Sequence, residues 1–403
     1  MPRVDSTPFV SPLFLTSLSD HIHSAPFTES DSYIYTVRYR NRIGSVYKKA
    51  RYIEYSDDSF AKTVPQPAHL GILGPTIRAE VGDTIKIVFK NLAGEPYGIH
   101  SHGVKYVKEH EAAHYNHLDH SMPGTAVQPG ETFTYVWEVP ERAGPGPADG
   151  NCSLWAYHPH HSDPGDMYVG LYGALIVYKK GLLDPETDLP TDVDEEFVLH
   201  FLVFDENNSH YLRDNINKFA PELQDRLPKD ASTPFVLGGE KWTESNLMHA
   251  INGRMYGNLN GLEMKLGSKT RWHMMAFGTE VDIHTAHWHA HSLLENGHRK
   301  DVVELLPASF HSLTMEPDTA GTWLLHCHVL DHQIAGMSVL YHVRDLNETT
   351  SLDLESFKAK KEDMNAPPAP RPPLAEPIYK LSDASRFGIT SALFALVSVL
   401  FIY

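Results

Sequence analysis

Trp323-Leu-Leu-His-Cys-His328 is a second version of a phrase that occurs earlier as Trp155-Ala-Tyr-His-Pro-His160. Each copy is followed by a glycine and a strand-like run, and each is preceded by an alternating segment that leads to a His-x-His motif. Thr84-Ile-Lys-Ile-Val-Phe-Lys90 sets Ile85, Ile87 and Phe89 against polar neighbours ahead of His100-Ser-His102, and residues 269–276 stand in the same place before His284-Thr-Ala-His287-Trp-His289. A side-chain period of two, punctuated by Gly and Pro, is the pattern of half-buried antiparallel strands. The repeat therefore predicts an all-β chain of two sandwich domains.

Working outward, the first domain is expected over residues 30–183 and the second over 197–346, joined by an acidic, proline-containing linker at 184–196. Residues 1–29 form an N-terminal segment whose Arg3 and short apolar run, interrupted by Pro12, make a poor secretory signal. After residue 346 comes a stalk, 347–381, that includes Ala366-Pro-Pro-Ala-Pro-Arg-Pro-Pro373. Small residues and an apolar tail, 382–403, read as a hydrophobic anchor signal, either for GPI attachment or as a single span, which would hold the protein at the extracellular face of the cell surface. The net charge of −17 opposes nucleic-acid or anionic-membrane binding.

The chemistry lies in the histidine clusters. Cys327, His332 and Met337, completed by His284, offer a thiolate, two imidazoles and a thioether, the donor set of a blue (type 1) copper site. Alternation along a strand lets Cys327 face that site while His326 and His328 point the other way. The remaining eight histidines form four His-x-His pairs: His100 with His102, His158 with His160, His287 with His289, and His326 with His328. Converging pairs of this kind can hold three further copper ions, enough to pass four electrons to dioxygen. One pair alone is as easily a solvated surface couple; four pairs beside the Cys/Met set are not. Pro159 stands where the second copy has Cys327, so only one blue site is expected.

These residues resemble the multicopper oxidases, and within them the ceruloplasmin and hephaestin group. The likeness extends through His69-Leu-Gly-Ile-Leu-Gly-Pro75, Ala79-Glu-Val-Gly-Asp-Thr-Ile85, Phe204-Asp-Glu-Asn207, Met248-His-Ala-Ile-Asn-Gly-Arg254 and Gly321-Thr-Trp-Leu-Leu-His-Cys-His328, and covers about residues 30 to 343. It implies two cupredoxin-like Greek-key β-sandwich domains and four copper ions per chain. A type 2 ion would lie on His100 and His287. One type 3 ion would take His102, His158 and His328, and the other His160, His289 and His326. It also implies that Cys152, whose family partner would stand where this chain has Tyr178, is left without a disulfide.

The resemblance further implies ferrous iron as the reductant, held by Glu244, His249 and Asp331, the last directly preceding the copper ligand His332. Hard carboxylate oxygens suit iron, and they favour the ferric state. A laccase-like oxidase of phenols or amines, or a non-enzymatic module of the same fold, are the competing readings. Trinuclear ligands are divided between the two domains, and in the longer members of the group a ring of six domains brings such ligands together, so the resemblance implies a head-to-tail homotrimer, domain 2 of one subunit meeting domain 1 of the next. His110, His114, His117 and His120 recur at near-helical intervals but read as a solvated loop.

Overall fold

In the computed structural model, residues 9–18, 32–38, 42–115, 122–162, 164–226 and 240–345 are described. They belong to the unit Met1–Glu348; the stalk and tail at 347–403, and His117 and His120, lie outside the described residues.

The sequence repeat is a topological repeat. In the first half, Lys49–Glu54, Phe9–Leu18, Thr84–Lys90 and Thr132–Glu138 form one sheet; Ile77–Glu80, Gly173–Tyr178, Cys152–His158 and His100–Ser101 form the other. The second half repeats the order with Leu247–Ile251, Glu195–Asp205, Thr270–Ala276 and Ser309–Met315 facing Glu263–Lys265, Ser338–Arg344, Gly321–Cys327 and His284–Trp288. It adds Leu293–Glu295 and His298–Lys300 to the first sheet and Val302–Leu305 to the second. Even the registers agree: His100 stands opposite His158, and His287 opposite His326. Phe9–Leu18, parallel to Thr84–Lys90, takes the place that Glu195–Asp205 holds beside Thr270–Ala276. The first sandwich thus draws on chain ahead of residue 30, where the sequence placed its start.

Alternation positions the cores. Ile85, Ile87 and Phe89 are all buried, with Tyr135 and Trp137 from the neighbouring strand, between the sheets of the first half. Trp272, Met274, Leu325, Tyr341 and Phe201 do the same in the second, and Cys327 and Met337 are part of that core. Each such large side chain contributes about 1.5–3 kcal/mol when fully buried.

A third cluster joins the halves: Leu154, Ala156, Ala174 and Ile176 pack on Val198, Leu202, Phe204 and Met275. Gly173–Tyr178 is therefore covered on both faces and reads as a continuous apolar run, with every residue buried. Cys152 is a buried free thiol directly opposite Tyr178 in the ladder. Beside it, the buried carboxylate of Glu196 binds Arg78 at 2.6 Å, His273 at 2.9 Å and the Tyr178 hydroxyl.

Candidate metal centre

Among the described residues, two groups of ligand atoms lie within 4.8 Å of one another, and both belong to the second half: His284, Cys327 and His332, and His287, His289 and His326. The first is fully interior. His284 lies at the start of its strand, Cys327 at the end of its own, and His332 on the short helix Leu330–Ile334 that follows. Sγ of Cys327 is 3.9 Å from Nδ1 of His284 and 3.7 Å from Nδ1 of His332, and the two Nδ1 atoms are 3.1 Å apart. A triangle with these edges has a centre about 2 Å from each corner, the length of a transition-metal bond to nitrogen or sulfur. The donor set and its spacing fit copper.

Met337 is buried beside this group, its carbonyl accepting from the Cys327 N–H at 3.0 Å. Burial pushes the Cys327 thiol up, against hydrogen bonds from Thr285 and Val329, so a bound cation is what would favour the thiolate. Burial, and then the neighbouring His284, lowers His332 to about 4, which leaves its imidazole neutral and its lone pair available.

The other eight histidines form two quartets of the same design. In the first, the Nε2 atoms of His102 and His158 lie 3.0 Å apart; in the second, those of His289 and His326 lie 3.1 Å apart. Nδ1 of His158 bonds the carbonyl of Pro159, and Nδ1 of His326 that of Cys327, both at 2.8 Å. Nδ1 of His100 bonds the Glu111 carbonyl at 2.7 Å, and Nδ1 of His287 the Asp301 carbonyl at 3.2 Å. A carbonyl on Nδ1 fixes the proton there and presents Nε2 to a metal. His160 rings against His100 at 5.4 Å, and His328 against His287 at 5.4 Å.

The quartets differ in cover. Phe277 and Phe310 of the second half close over His102, and Phe277 also over His158. Burial first, then the other imidazoles, lowers His102 to about 4 and holds His158 well below its ordinary value. In the second quartet His289 and His328 are exposed. Its ring contacts with histidine stay within the quartet among the described residues.

Of Glu244, His249 and Asp331, His249 packs against His332 and Asp331 precedes it in the chain. The His249 ring lies 5.1 Å from that of His332, and burial, then His332, lowers His249 to about 3. Glu244 lies in the last turn of the helix Glu240–Ser245, and Asp331 is exposed on the helix that carries His332. Glu244, His249 and Asp331 are not one of the groups whose ligand atoms lie within 4.8 Å.

Two neighbours were invisible in the sequence pattern. Tyr35 donates its hydroxyl to Oε1 of Glu244 at 2.5 Å, and its ring meets that of His249 in a T-shaped contact with centroids 5.8 Å apart. Asp282 lies 3.3 Å from Nε2 of His284. Of the loop histidines, His110 closes a three-residue turn and bonds Val136, His114 donates its N–H to the His160 carbonyl, and residues 111–115 are irregular.

Multicopper oxidase family models match residues 69–181 and 226–347. The chain is 43% identical to mouse hephaestin over 348 residues, which is 82% of this chain and 28% of that protein. It is 44% identical to human ceruloplasmin over 319 residues, 77% of this chain and 27% of that one, and 41% identical to human ferroxidase HEPHL1 over 320 residues, 79% and 27%. It thus spans little more than a quarter of the length of these relatives. A crystal structure of a multicopper oxidase aligns with a TM-score of 0.50 at 17% identity, covering 84% of this chain and 88% of its own, and the multicopper oxidase mgLAC aligns at 0.51 and 16%, covering 84% and 87%. Those two show the cupredoxin-like fold alone. With the family models on both halves and the relatives aligned over most of its length, the chain belongs to the multicopper oxidases.

Proposed function

We propose that this chain oxidises ferrous iron and couples that oxidation to four-electron reduction of dioxygen to water. His284, Cys327, His332 and Met337 would hold the type 1 copper; His100 and His287 the type 2 ion; His102, His158 and His328 one type 3 ion; and His160, His289 and His326 the other. Bound there, copper supplies one-electron chemistry, accepting electrons singly and delivering four to dioxygen. The pairing of His102 with His158 and of His289 with His326 at 3.0–3.1 Å supports that division of type 3 ligands.

The observation that carries the choice of iron is the placing of His249, with Glu244 and Asp331 nearby, against His332 at the edge of the thiolate site. These groups would bind ferrous iron, and the carboxylates would stabilise the ferric product. Asp331 would couple the iron to the buried site through its neighbour His332. One observation favours an organic donor instead: Leu330 and Ile334, on either side of Asp331 and His332, are 64% and 44% exposed. The double variant Glu244→Ala, Asp331→Ala separates the two. Its blue colour and oxidation of a bulky organic donor should persist while kcat/KM for ferrous iron falls at least about tenfold, about 1.4 kcal/mol. Equal loss toward both donors, or no loss toward iron, overturns the iron reading.

The quartets are carried on different sandwiches, and the second is open to solvent at His289 and His328. This supports an assembly in which the second quartet of one chain meets the first quartet of another; a closed head-to-tail ring satisfies every quartet, and we propose a trimer, whose six domains match the ring implied by the resemblance.

A further inference from the structure

We infer that Asp282 is a positioning residue for the type 1 site: its carboxylate fixes the tautomer of His284 and lowers the reduction potential of copper held there. The inference rests on the copper reading of His284, Cys327 and His332 and is independent of the choice of iron as donor.

Asp282 is fully buried. Oδ1 accepts from the Val203 N–H at 2.7 Å and faces Nε2 of His284 at 3.3 Å, while Oδ2 accepts from the Thr279 N–H at 2.8 Å. Its one ion-pair partner among the described residues is His284. An ionised carboxylate without a Lys or Arg is expensive to bury unless its lone pairs are filled. Here two backbone donors and an imidazole fill them.

The site is built closely around the carboxylate. Gly278, at φ +125°, leaves the space: a Cβ there would stand 2.0 Å from Oδ2 of Asp282. Only glycine adopts that backbone readily and also makes room for the oxygen.

The consequence for His284 is geometric. An Nε2–H donated to Asp282 leaves Nδ1 as the lone-pair atom, and it is Nδ1 that faces Cys327 Sγ and His332 Nδ1. A carboxylate behind a ligating imidazole also makes the ring a stronger donor. Negative charge at that distance favours the more positive, oxidised metal and so lowers the potential.

The first sandwich provides an internal contrast. By the shared His-x-His register, Tyr97 occupies the place of His284 and Glu95 that of Asp282. Where no metal-binding imidazole is present, the acidic residue is exposed and Tyr97 bonds Tyr211 at 3.3 Å. The buried carboxylate accompanies the ligand.

The test has two arms on the full chain. Nitrogen-15 NMR of the copper-free protein should show His284 as the Nε2–H tautomer; an Nδ1–H tautomer overturns the inference, whatever the variants do. Asp282→Asn keeps an acceptor and removes the charge. Loaded with copper it should stay blue, with the one-electron equilibrium displaced toward the reduced form at least tenfold, a rise of 59 mV. An Asp282→Asn protein that is blue with an unchanged or lower potential overturns the inference. Wild-type protein that binds copper without blue colour would instead overturn the type 1 reading beneath it.

Discussion

Tyr35 reaches Glu244 across 209 residues of sequence, its hydroxyl donating to the carboxylate at 2.5 Å while its ring edge leans on His249. Tyr35 is itself almost fully buried, on the four-residue helix Tyr33–Thr36 that lies in the chain between strands Phe9–Leu18 and Lys49–Glu54 of the first sandwich. One side chain thus steadies two of the three groups proposed to receive iron. Burial, then the Glu244 contact, raises the phenol well above its ordinary value, so at neutral pH it is a donor and never a phenolate competitor for metal.

Tyr35→Phe keeps the ring and removes the hydroxyl. Freed of its donor, Glu244 samples more orientations, and KM for ferrous iron should rise several-fold with colour and organic-donor kinetics unchanged. Tyr35→Ala should also loosen His249 and lower kcat for iron. Steady-state kinetics with both donors decide it; unchanged iron kinetics in both variants would show that Tyr35 only fills space.

Cys327→Ser replaces the soft sulfur with a hard oxygen in the interior triangle. The variant should fold, since serine is smaller and Cys327 packs as one member of a large core, but copper-loaded protein should lack the intense thiolate absorption and lose turnover with every donor. Retained colour would place the blue site elsewhere.

Mixing tests the assembly. Chains with His102→Ala and chains with His289→Ala each spoil every junction of a homotrimer, but a mixed ring contains junctions with both quartets intact. Oxygen uptake should reappear on mixing after dissociation and reassembly. Four coppers and full activity at monomeric mass would exclude the arrangement.

Much of the site was legible because strands make spacing into geometry. His-x-His puts two imidazoles on one face, and an intervening Cys points to the other; the registers His100 with His158 and His287 with His326 follow from the repeat. Tyr35 and Asp282 were not legible, because one is brought in by tertiary contact and the other is an acid two residues before a histidine, a pattern too common to mean anything alone. Phe9–Leu18 failed to read as a strand because an apolar run broken by Pro12 resembles a defective leader. Gly173–Tyr178 carries no alternation, because the second sandwich covers its outer face.

Glu196 binds the halves together. Burial alone would raise its carboxyl, but Arg78, with His273 and Tyr178, outweighs burial and holds it far below the usual range. A depressed acid contributes stability that is present above its unfolded value of 4.5 and is lost as pH falls below it. Glu196→Ala leaves Arg78 and His273 without their anion and should cost about 3–5 kcal/mol in urea unfolding at pH 7. A loss under about 1 kcal/mol would mean that the apolar cluster alone holds the halves together.

His200 acts in a different pH window. It is fully buried among Tyr172, Phe277 and Phe204, with neither ring nitrogen hydrogen-bonded, and burial, then His284, lowers it to about 3 from 6.5. The folded protein therefore keeps this imidazole neutral while the unfolded chain protonates it. For a base whose folded value is depressed, stability is complete above 6.5 and declines as pH falls toward 3. Between pH 6.5 and 5 the loss from this one group is on the order of 2 kcal/mol. His200→Phe places a ring of similar size among aromatic neighbours and removes both the titration and the unpaired polar atoms. Copper-free variant and wild type should thus be close in stability at pH 7.5, with the variant gaining steadily on acidification until Glu196 begins to titrate in both. Parallel stability curves from pH 7.5 to 5 would show that His200 is protonated or solvated in the folded protein.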